Sequence, residues 1–571
     1  MSPRLSWHST RHTQPRKPHH RLMREGGENR ERSHTVRSKV TLTDTQEAKE
    51  ATEGVTDGNT GVEVCLLSML TVVTIPPYRH ELRHIVKPLV DAFTGDWSQT
   101  GHTRFDAVLT ELETGTGEKR WAGQELETQY QSVIEKCREQ PGEVTDRELA
   151  TGLAAATSGT HTDILGAFYQ LAGQTSDQFN QYFTPPNVAT SVAAIGRITA
   201  AEFDVPEPTV ENVTGQASFR TFTDGGAEPV VPQDSESDDE SPEVVFDPAC
   251  GSGRLLAAAA RTSDTVVGLG WEVERTTARM AAVTMALTGT PGWIVRGDSP
   301  TMEANTVWRV TPDADTPLQE LSPDDPVFPT ETLPAGADRP TVPALGESGA
   351  SAAECIEEIT HVIERGVDLT IANPPFDTTD VSDVDAGDGD RETCSPSRLD
   401  VTHRSMDNPD SALRSSQRYE WMMLEHSLNV TRPSGAVCCI VPESLLSNPS
   451  QKDARAWMLD STYLAASIEL PEATFCPETH TKTGVIALVP REESEVGLNL
   501  DYEIFMAISE TMGHNSRATK IPIAGDDGRV SLDTAELSRE YAAHQWAGRD
   551  EVDLPDDDLH KIVVQYRDHH E

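Results

Sequence analysis

The chain has 571 residues, enough for more than one domain, and its 36% hydrophobic content supports a packed core despite a mean hydropathy of −0.46. A formal net charge of −46 rules out nucleic-acid binding through bulk charge and leaves any phosphate contact to local arginines. The longest apolar stretch, Val64 to Ile75, is too short to cross a bilayer, and the basic start from Arg4 to Lys39 lacks the apolar run of a secretory signal, so no membrane association and a cytoplasmic location are expected.

The acidic residues are spread over the whole chain, and lysine is absent between Cys137 and Gln451. Such a distribution suits the cytoplasm of a halophile, where molar salt shortens the Debye length to about 3 Å and screens self-repulsion. None of the eight cysteines forms a C-x-x-C pair, so neither a zinc site nor a disulfide framework is indicated, and the compartment is read as reducing. Cys250 has no base placed beside it by sequence and reads as a small buried filler rather than a nucleophile.

In chain order, residues 1–60 are polar and read as a disordered extension, in preference to a nucleic-acid arm. Residues 61–175 carry helical patterns over Glu81 to Phe93, Glu125 to Ile134, Asp146 to Ala156 and Asp163 to Tyr169, with apolar positions three and four apart. From 176 to 495 strands and helices alternate, which predicts an α/β domain with a mostly parallel sheet. Polar segments at about 203–243, 301–353 and 377–411 are expected to be solvated acidic insertions. Asp383 to Asp390 alternates carboxylates around a glycine but lacks the distal glutamate and spacing of a calcium loop, so no metal is expected. Residues 496–571 form a tail with a strand at Tyr502 to Ile508, a helix at Thr534 to Gln545, and room for a partner to dock.

Two motifs carry chemistry. Phe246-Asp247-Pro248-Ala249-Cys250-Gly251-Ser252-Gly253 runs from a strand through a glycine turn into a helix at Arg254 to Arg261, a geometry in which backbone N–H groups approach a nucleotide-like ligand. About twenty residues on, a second strand ends in Glu272, placed to accept from ribose hydroxyls, and a third ends before Asp298, placed to bond an adenine amino group. A fourth, Val367 to Ala372, delivers Asn373-Pro374-Pro375-Phe376. The asparagine carboxamide and the carbonyl that follows accept hydrogen bonds from an exocyclic amine and turn its lone pair toward an electrophilic methyl group. Phe376 offers a face on which an extruded base stacks.

With these motifs in that order, the chain resembles the N6-adenine DNA methyltransferases, and among them the modification subunits of type I restriction-modification systems. Further stretches carry the resemblance: Asp163-Ile164-Leu165-Gly166, Gln181-Tyr182-Phe183-Thr184-Pro185, Arg432 to Glu443, Ile468 to Phe475 with Thr481-Lys482-Thr483, and Tyr502 to Gly513. It spans roughly residues 160 to 515 and implies a Rossmann-like, S-adenosylmethionine-dependent methyltransferase core behind an N-terminal helical domain. By resemblance, Asn373, Pro374, Pro375 and Phe376 are catalytic, while Tyr182, Phe183, Thr184, Asp247, Ala249, Gly251, Gly253, Glu272 and Asp298 bind S-adenosylmethionine. Double-stranded DNA, a specificity subunit and a restriction subunit are the implied partners. A solitary methyltransferase, an RNA or protein-amide methyltransferase and an inactive DNA-binding scaffold are the alternatives. The acidic insertions and Tyr182, where the family often has Phe, depart from its pattern.

Overall fold

The computed structural model describes residues 79–517 and 557–570, apart from 94–98, 122–125, 173–182, 207–241, 264, parts of 324–348, 377, 381–399, 403, 405–413, 493–494 and 497–501. All of them belong to one compact unit, Met69–Glu571. The basic start, the Asp383 to Asp390 run and the expected helix at Thr534 to Gln545 lie outside the described residues.

Among the described residues five α-helices come first: α1 (Arg79–Ala92), α2 (Gln99–Gly117), α3 (Leu126–Glu139), α4 (Asp146–Thr160) and α5 (Ile164–Leu171). Local chemistry sets their ends. Thr145 and Glu148 form a capping box at the start of α4, and Asp163 caps α5 by accepting from Gly166 N–H. Helix α2 has no counterpart in the sequence reading. Its Phe105, Val108, Leu109 and Leu112 are buried on one stripe, between polar and glycine-rich ends.

The core is a ten-stranded sheet in the order β12-β10-β11-β9-β6-β1-β2-β3-β4-β5. Its strands are β1 (Glu243–Asp247), β2 (Val266–Glu272), β3 (Gly292–Arg296), β4 (Thr306–Val310), β5 (Leu318–Leu321), β6 (Val367–Ala372), β9 (Thr431–Pro442), β10 (Thr462–Glu469), β11 (Thr483–Pro490) and β12 (Phe505–Ile508). A separate two-stranded ribbon pairs β7 (Thr378–Asp380) with β8 (Ser416–Arg418). Strands β3, β2, β1, β6 and β9 are parallel, whereas β11 runs antiparallel to β9 and β10 on either side. The parallel strands are buried on both faces and therefore read as nearly continuous apolar runs. Where β6 carries polar residues they are paired: Asp368 Oδ2 accepts from Val244 N–H at 2.8 Å, and the hydroxyls of Thr370 and Thr431 meet at 2.7 Å.

Helices α6 (Pro186–Glu202), α7 (Arg254–Arg261), α8 (Arg275–Thr288), α9 (Ala352–Arg365) and α10 (Tyr419–Val430) cover the sheet, with α11 (Glu443–Ser447) and α12 (Lys452–Ser461) beyond β9. A last helix, α13 (Leu559–His570), packs on α6, where the Tyr566 hydroxyl meets that of Thr199 at 2.8 Å. Arg279 of α8 is clasped by Glu113 of α2 at 2.6 and 2.7 Å and also binds Asp106, which fastens the helical domain to the core.

One expectation is corrected. Residues 301–353 are not simply a solvated insertion: β4 and β5 extend the sheet, Met302, Val307 and Phe328 are buried in one core cluster with Trp271 and Trp293, and Trp308 is buried in the other with Ile294 and Val310. Arg309, the charge within β4, is only 3% exposed because Glu358 of α9 binds its guanidinium at two points, both 2.9 Å.

Candidate functional site

The chain leaves β1 toward β2 and β3 on one side and places β6 on the other, so the strand order reverses between β1 and β6. A crevice at the carboxyl ends of such strands is where open α/β sheets bind ligands. Both motifs open there: the glycine loop follows Asp247 at the end of β1, and Asn373 follows Ala372 at the end of β6.

Gly251 and Gly253 adopt positive φ, 53° and 84°, as the loop turns into α7. At Gly253 a Cβ atom would sit 3.1 Å from Ala281 Cα, so a side chain there would crowd α8 at a residue whose φ already favours glycine. Cys250, 5% exposed, donates its N–H to Trp271 O at 2.9 Å, and burial holds its thiol well above the ordinary range. It is a packed filler, as its surroundings in the sequence indicate.

Three carboxylates gather at the ends of β1, β2 and β3. Asp247, 1% exposed, accepts from Ala249 N–H at 3.1 Å through Oδ1, while its buried Oδ2 has no partner among the described residues. Burial raises its pKa to about 8, against the Ala249 hydrogen bond, with the nearby Glu272 adding to the rise. Glu272, 5% exposed, accepts from Gly251 N–H at 2.9 Å and Glu274 N–H at 2.8 Å, and burial lifts it to about 7. Asp298 is likewise raised by burial, opposed by Thr301 and reinforced by Glu303. Gly297 N–H donates to Glu272 O at 3.1 Å and keeps the ends of β2 and β3 together.

The Phe183-Thr184 segment bridges the two motifs. The Phe183 ring lies 4.0 Å from where a Cβ at Gly251 would stand and carries the Arg254 guanidinium at 5.6 Å, while Thr184 Oγ1 accepts from Asn373 Nδ2 at 3.0 Å. Pro374 is buried, Pro375 half-buried, and Phe376 partly buried against the core. The structure therefore brings together Phe183, Thr184, Asp247, Ala249, Gly251, Gly253, Glu272, Asp298 and Asn373 to Phe376 at one end of the sheet. Tyr182 lies outside the described residues.

Sequence reasoning missed residues that belong to the same region. The Tyr419 hydroxyl at the start of α10 is held well above the ordinary phenol range by burial, then by Asp298 and Glu272. Beneath them His426 meets Ser299 Oγ at 3.0 Å, and burial lowers its pKa to about 4, so it is neutral. Arg254 donates to Thr184 O at 2.7 Å and pairs with Asp163. No local pattern marks these residues, because each acts across a long separation in sequence.

A buried, unpaired carboxylate oxygen beside two further carboxylates of raised pKa fits a cationic ligand with a polar nucleoside end. S-adenosylmethionine, a sulfonium with an ammonium group and an adenosine, has that chemistry. Among the described residues no helix is long and apolar enough to cross a membrane.

Residues 347–522, which hold Asn373 to Phe376 and run from α9 through β12, match the model of the N-6 DNA Methylase family. No curated protein matches the sequence at a significant level. Among solved structures the chain is similar to the methyltransferase subunit of a type I restriction-modification system from Streptococcus thermophilus, at 16% identity, a TM-score of 0.36, and 81% and 78% coverage of this chain and that one. It is similar also to a protein of Listeria monocytogenes described as a class I S-adenosylmethionine-dependent methyltransferase, at 12% identity, a TM-score of 0.36, and 77% and 99% coverage. The fold is a Rossmann-like methyltransferase core behind an N-terminal helical domain, and its second half carries the N-6 DNA methylase signature.

Proposed function

We propose that this chain is an S-adenosylmethionine-dependent N6-adenine DNA methyltransferase and the modification subunit of a type I restriction-modification system. One observation carries the reading: Thr184 joins Asn373 to the same crevice that holds the unpaired Oδ2 of Asp247. A cofactor's cationic end and a target amine would therefore meet at one place.

In this reading Asp247 accepts from the cofactor's ammonium group, Glu272 from its ribose hydroxyls and Asp298 from its adenine amine. Ala249, Gly251 and Gly253 supply the close backbone, and Tyr182, Phe183 and Thr184 close over the methionine side. When bound, the cofactor supplies an activated methyl group. Asn373, its Nδ2 held by Thr184, presents Oδ1 to the adenine N6 amine, with the Pro374 carbonyl as a second acceptor. Phe376 stacks on the extruded base and Pro375 keeps the turn rigid.

The substrate is double-stranded DNA in the cytoplasm of a halophile. A specificity subunit supplies recognition of the site, and a restriction subunit completes the assembly. The test is adenine methylation of host DNA at molar KCl by the full chain, alone and with a specificity subunit encoded beside it. Weak transfer alone and strong transfer with the partner is the expected result. Strong, site-specific transfer by the chain alone would overturn the subunit role, and no transfer in either case would overturn the methyltransferase reading.

A further inference from the structure

Asp163 caps α5 in the helical domain, yet its carboxylate also serves the core. Oδ1 accepts from Gly166 N–H at 2.6 Å, while Oδ2 accepts from Ser252 Oγ in the glycine loop at 2.5 Å and lies 3.0 Å from Arg254 Nη2. The acid is fully buried and the arginine side chain is 7% exposed. Arg254 spends its other Nη on Thr184 O at 2.7 Å, and the hydroxyl of that threonine accepts from Asn373 Nδ2 at 3.0 Å. Charge in the helical domain is thus connected to the carboxamide at the end of β6 through Arg254 and Thr184.

The steric detail agrees. A Cβ at residue 166 would fall 2.2 Å from Asp163 Oδ2 and 2.4 Å from Ser252 Oγ, so only glycine lets α5 and the cofactor loop share one carboxylate. A simple cap needs no such approach. Nor would a simple cap need a planar, forked cation that reaches Asp163 with one nitrogen and the Thr184 carbonyl with the other.

We propose that Asp163 and Arg254 are positioning residues for methyl transfer. Through them the helical domain fixes Thr184, and Thr184 fixes the rotation of the Asn373 carboxamide against the target amine. The proposal rests on the methyltransferase reading above. Its distinctive consequence is that the pair governs the transfer step more than cofactor affinity, because reacting groups displaced by about 1 Å lose on the order of 100-fold in rate.

The experiment uses the full chain with its specificity partner and the variants Arg254→Met, Arg254→Lys, Thr184→Val and Arg254→Met/Thr184→Val. Single-turnover adenine methylation at saturating S-adenosylmethionine is measured beside equilibrium cofactor affinity and melting temperature. Arg254→Lys keeps the charge opposite Asp163, and so reports on the proposal even where Arg254→Met fails to fold. Expected are about 100-fold slower transfer for Arg254→Met and about 10-fold for Arg254→Lys, with cofactor affinity within about threefold. The double variant should be no slower than Arg254→Met alone, since both changes cut one connection. Transfer by Arg254→Lys at the parent rate, a loss confined to cofactor affinity, or fully additive losses in the double variant would each overturn the positioning role. A parent that transfers no methyl group overturns the underlying reading instead, which separates the two failures.

Discussion

Asn373 Nδ2 donates to Thr184 Oγ1 at 3.0 Å, a bond that spans 189 positions of the sequence and ties the end of β6 to the segment in front of α6. A carboxamide held by one end cannot rotate freely, so its oxygen is committed to one direction before any substrate arrives. That is preorganisation of an acceptor at the crevice between β1 and β6.

On the proposed function, Asn373→Ala removes the acceptor for the target amine and leaves the carboxylates of Asp247, Glu272 and Asp298 in place. Methyl transfer should fall by at least about 100- to 1,000-fold, while cofactor affinity stays within a few fold. Radiolabelled methyl incorporation and calorimetry on the same preparation check both halves. A variant that keeps most of its activity on DNA would remove Asn373 from the chemistry.

Asp247→Asn keeps the bond from Ala249 and replaces the unpaired acceptor oxygen with an amide. Because a hydrogen bond to a charged group contributes about 1.5–3 kcal/mol, S-adenosylmethionine should bind roughly 10- to 100-fold more weakly. The ligand-free melting temperature should hardly move, since the neutral amide resembles the protonated acid. Unchanged affinity would mean that Asp247 does not face the ligand.

The raised carboxylates also give pH dependences of opposite sign. In the ligand-free protein Asp247 and Glu272 titrate near 8 and 7, whereas their ordinary values are 3.8 and 4.5, so between these limits the folded state holds more protons than the unfolded one. Their contribution to stability is therefore full below the ordinary values and is lost as pH rises through 7 and 8. A cationic ligand prefers the ionised forms, so its affinity should rise over the same upper range and its binding should release protons. Calorimetry in buffers of different ionisation enthalpy measures both effects. Affinity that is flat between about pH 6 and pH 9 would count against the carboxylates facing the ligand.

The parallel strands were legible because strands buried on both faces are mainly apolar: β1, β2 and β3 are so apart from their ends, and in β6 the two polar residues, Asp368 and Thr370, find partners. Their ends located Asp247, Glu272, Asp298 and Asn373 without any knowledge of contacts. Strand β4 lies in a stretch dense in Pro, Asp and Thr that reads as polar, and the burial of its Arg309 depends on Glu358 of α9, a partner 49 residues away in sequence. Helix α13 has no counterpart in the sequence reading: Leu559, Ile562, Val563 and Tyr566 form its buried stripe, but apart from Val564 the residues between and after them are polar or histidine. The Asp163–Arg254 pair and the placement of Tyr419 near Asp298 could not be read at all, since no local periodicity records which distant residues a fold brings together.

Gly253→Ala tests the close approach of α7 and α8. The backbone there has a φ of 84°, and the new methyl group would meet Ala281 Cα, Cβ and O at 3.1 to 3.3 Å. The obstacle includes backbone atoms, so it cannot swing aside as a long side chain would. A loss of about 1–3 kcal/mol in unfolding free energy is expected from the strained φ and the overpacking. Denaturant unfolding with an unchanged midpoint would show that the two helices have slack.

Salt dependence tests the reading of the acidic composition. With 93 acidic residues against 47 lysines and arginines, self-repulsion opposes the compact state at low ionic strength. Buried pairs such as Asp163–Arg254 and Arg309–Glu358 are shielded from solvent ions and should lose little on screening. Exposed pairs such as Lys87–Asp91 are already weak and contribute little to the balance. Relief of repulsion should therefore dominate, and the melting temperature should climb with KCl up to molar concentration. The same salt weakens phosphate contacts through counterion release, so DNA binding by the chain alone should fall while its stability rises. Melting curves and DNA affinity measured along one KCl series decide the matter: a melting temperature that falls or stays level would break the link between this composition and a salt-rich cytoplasm.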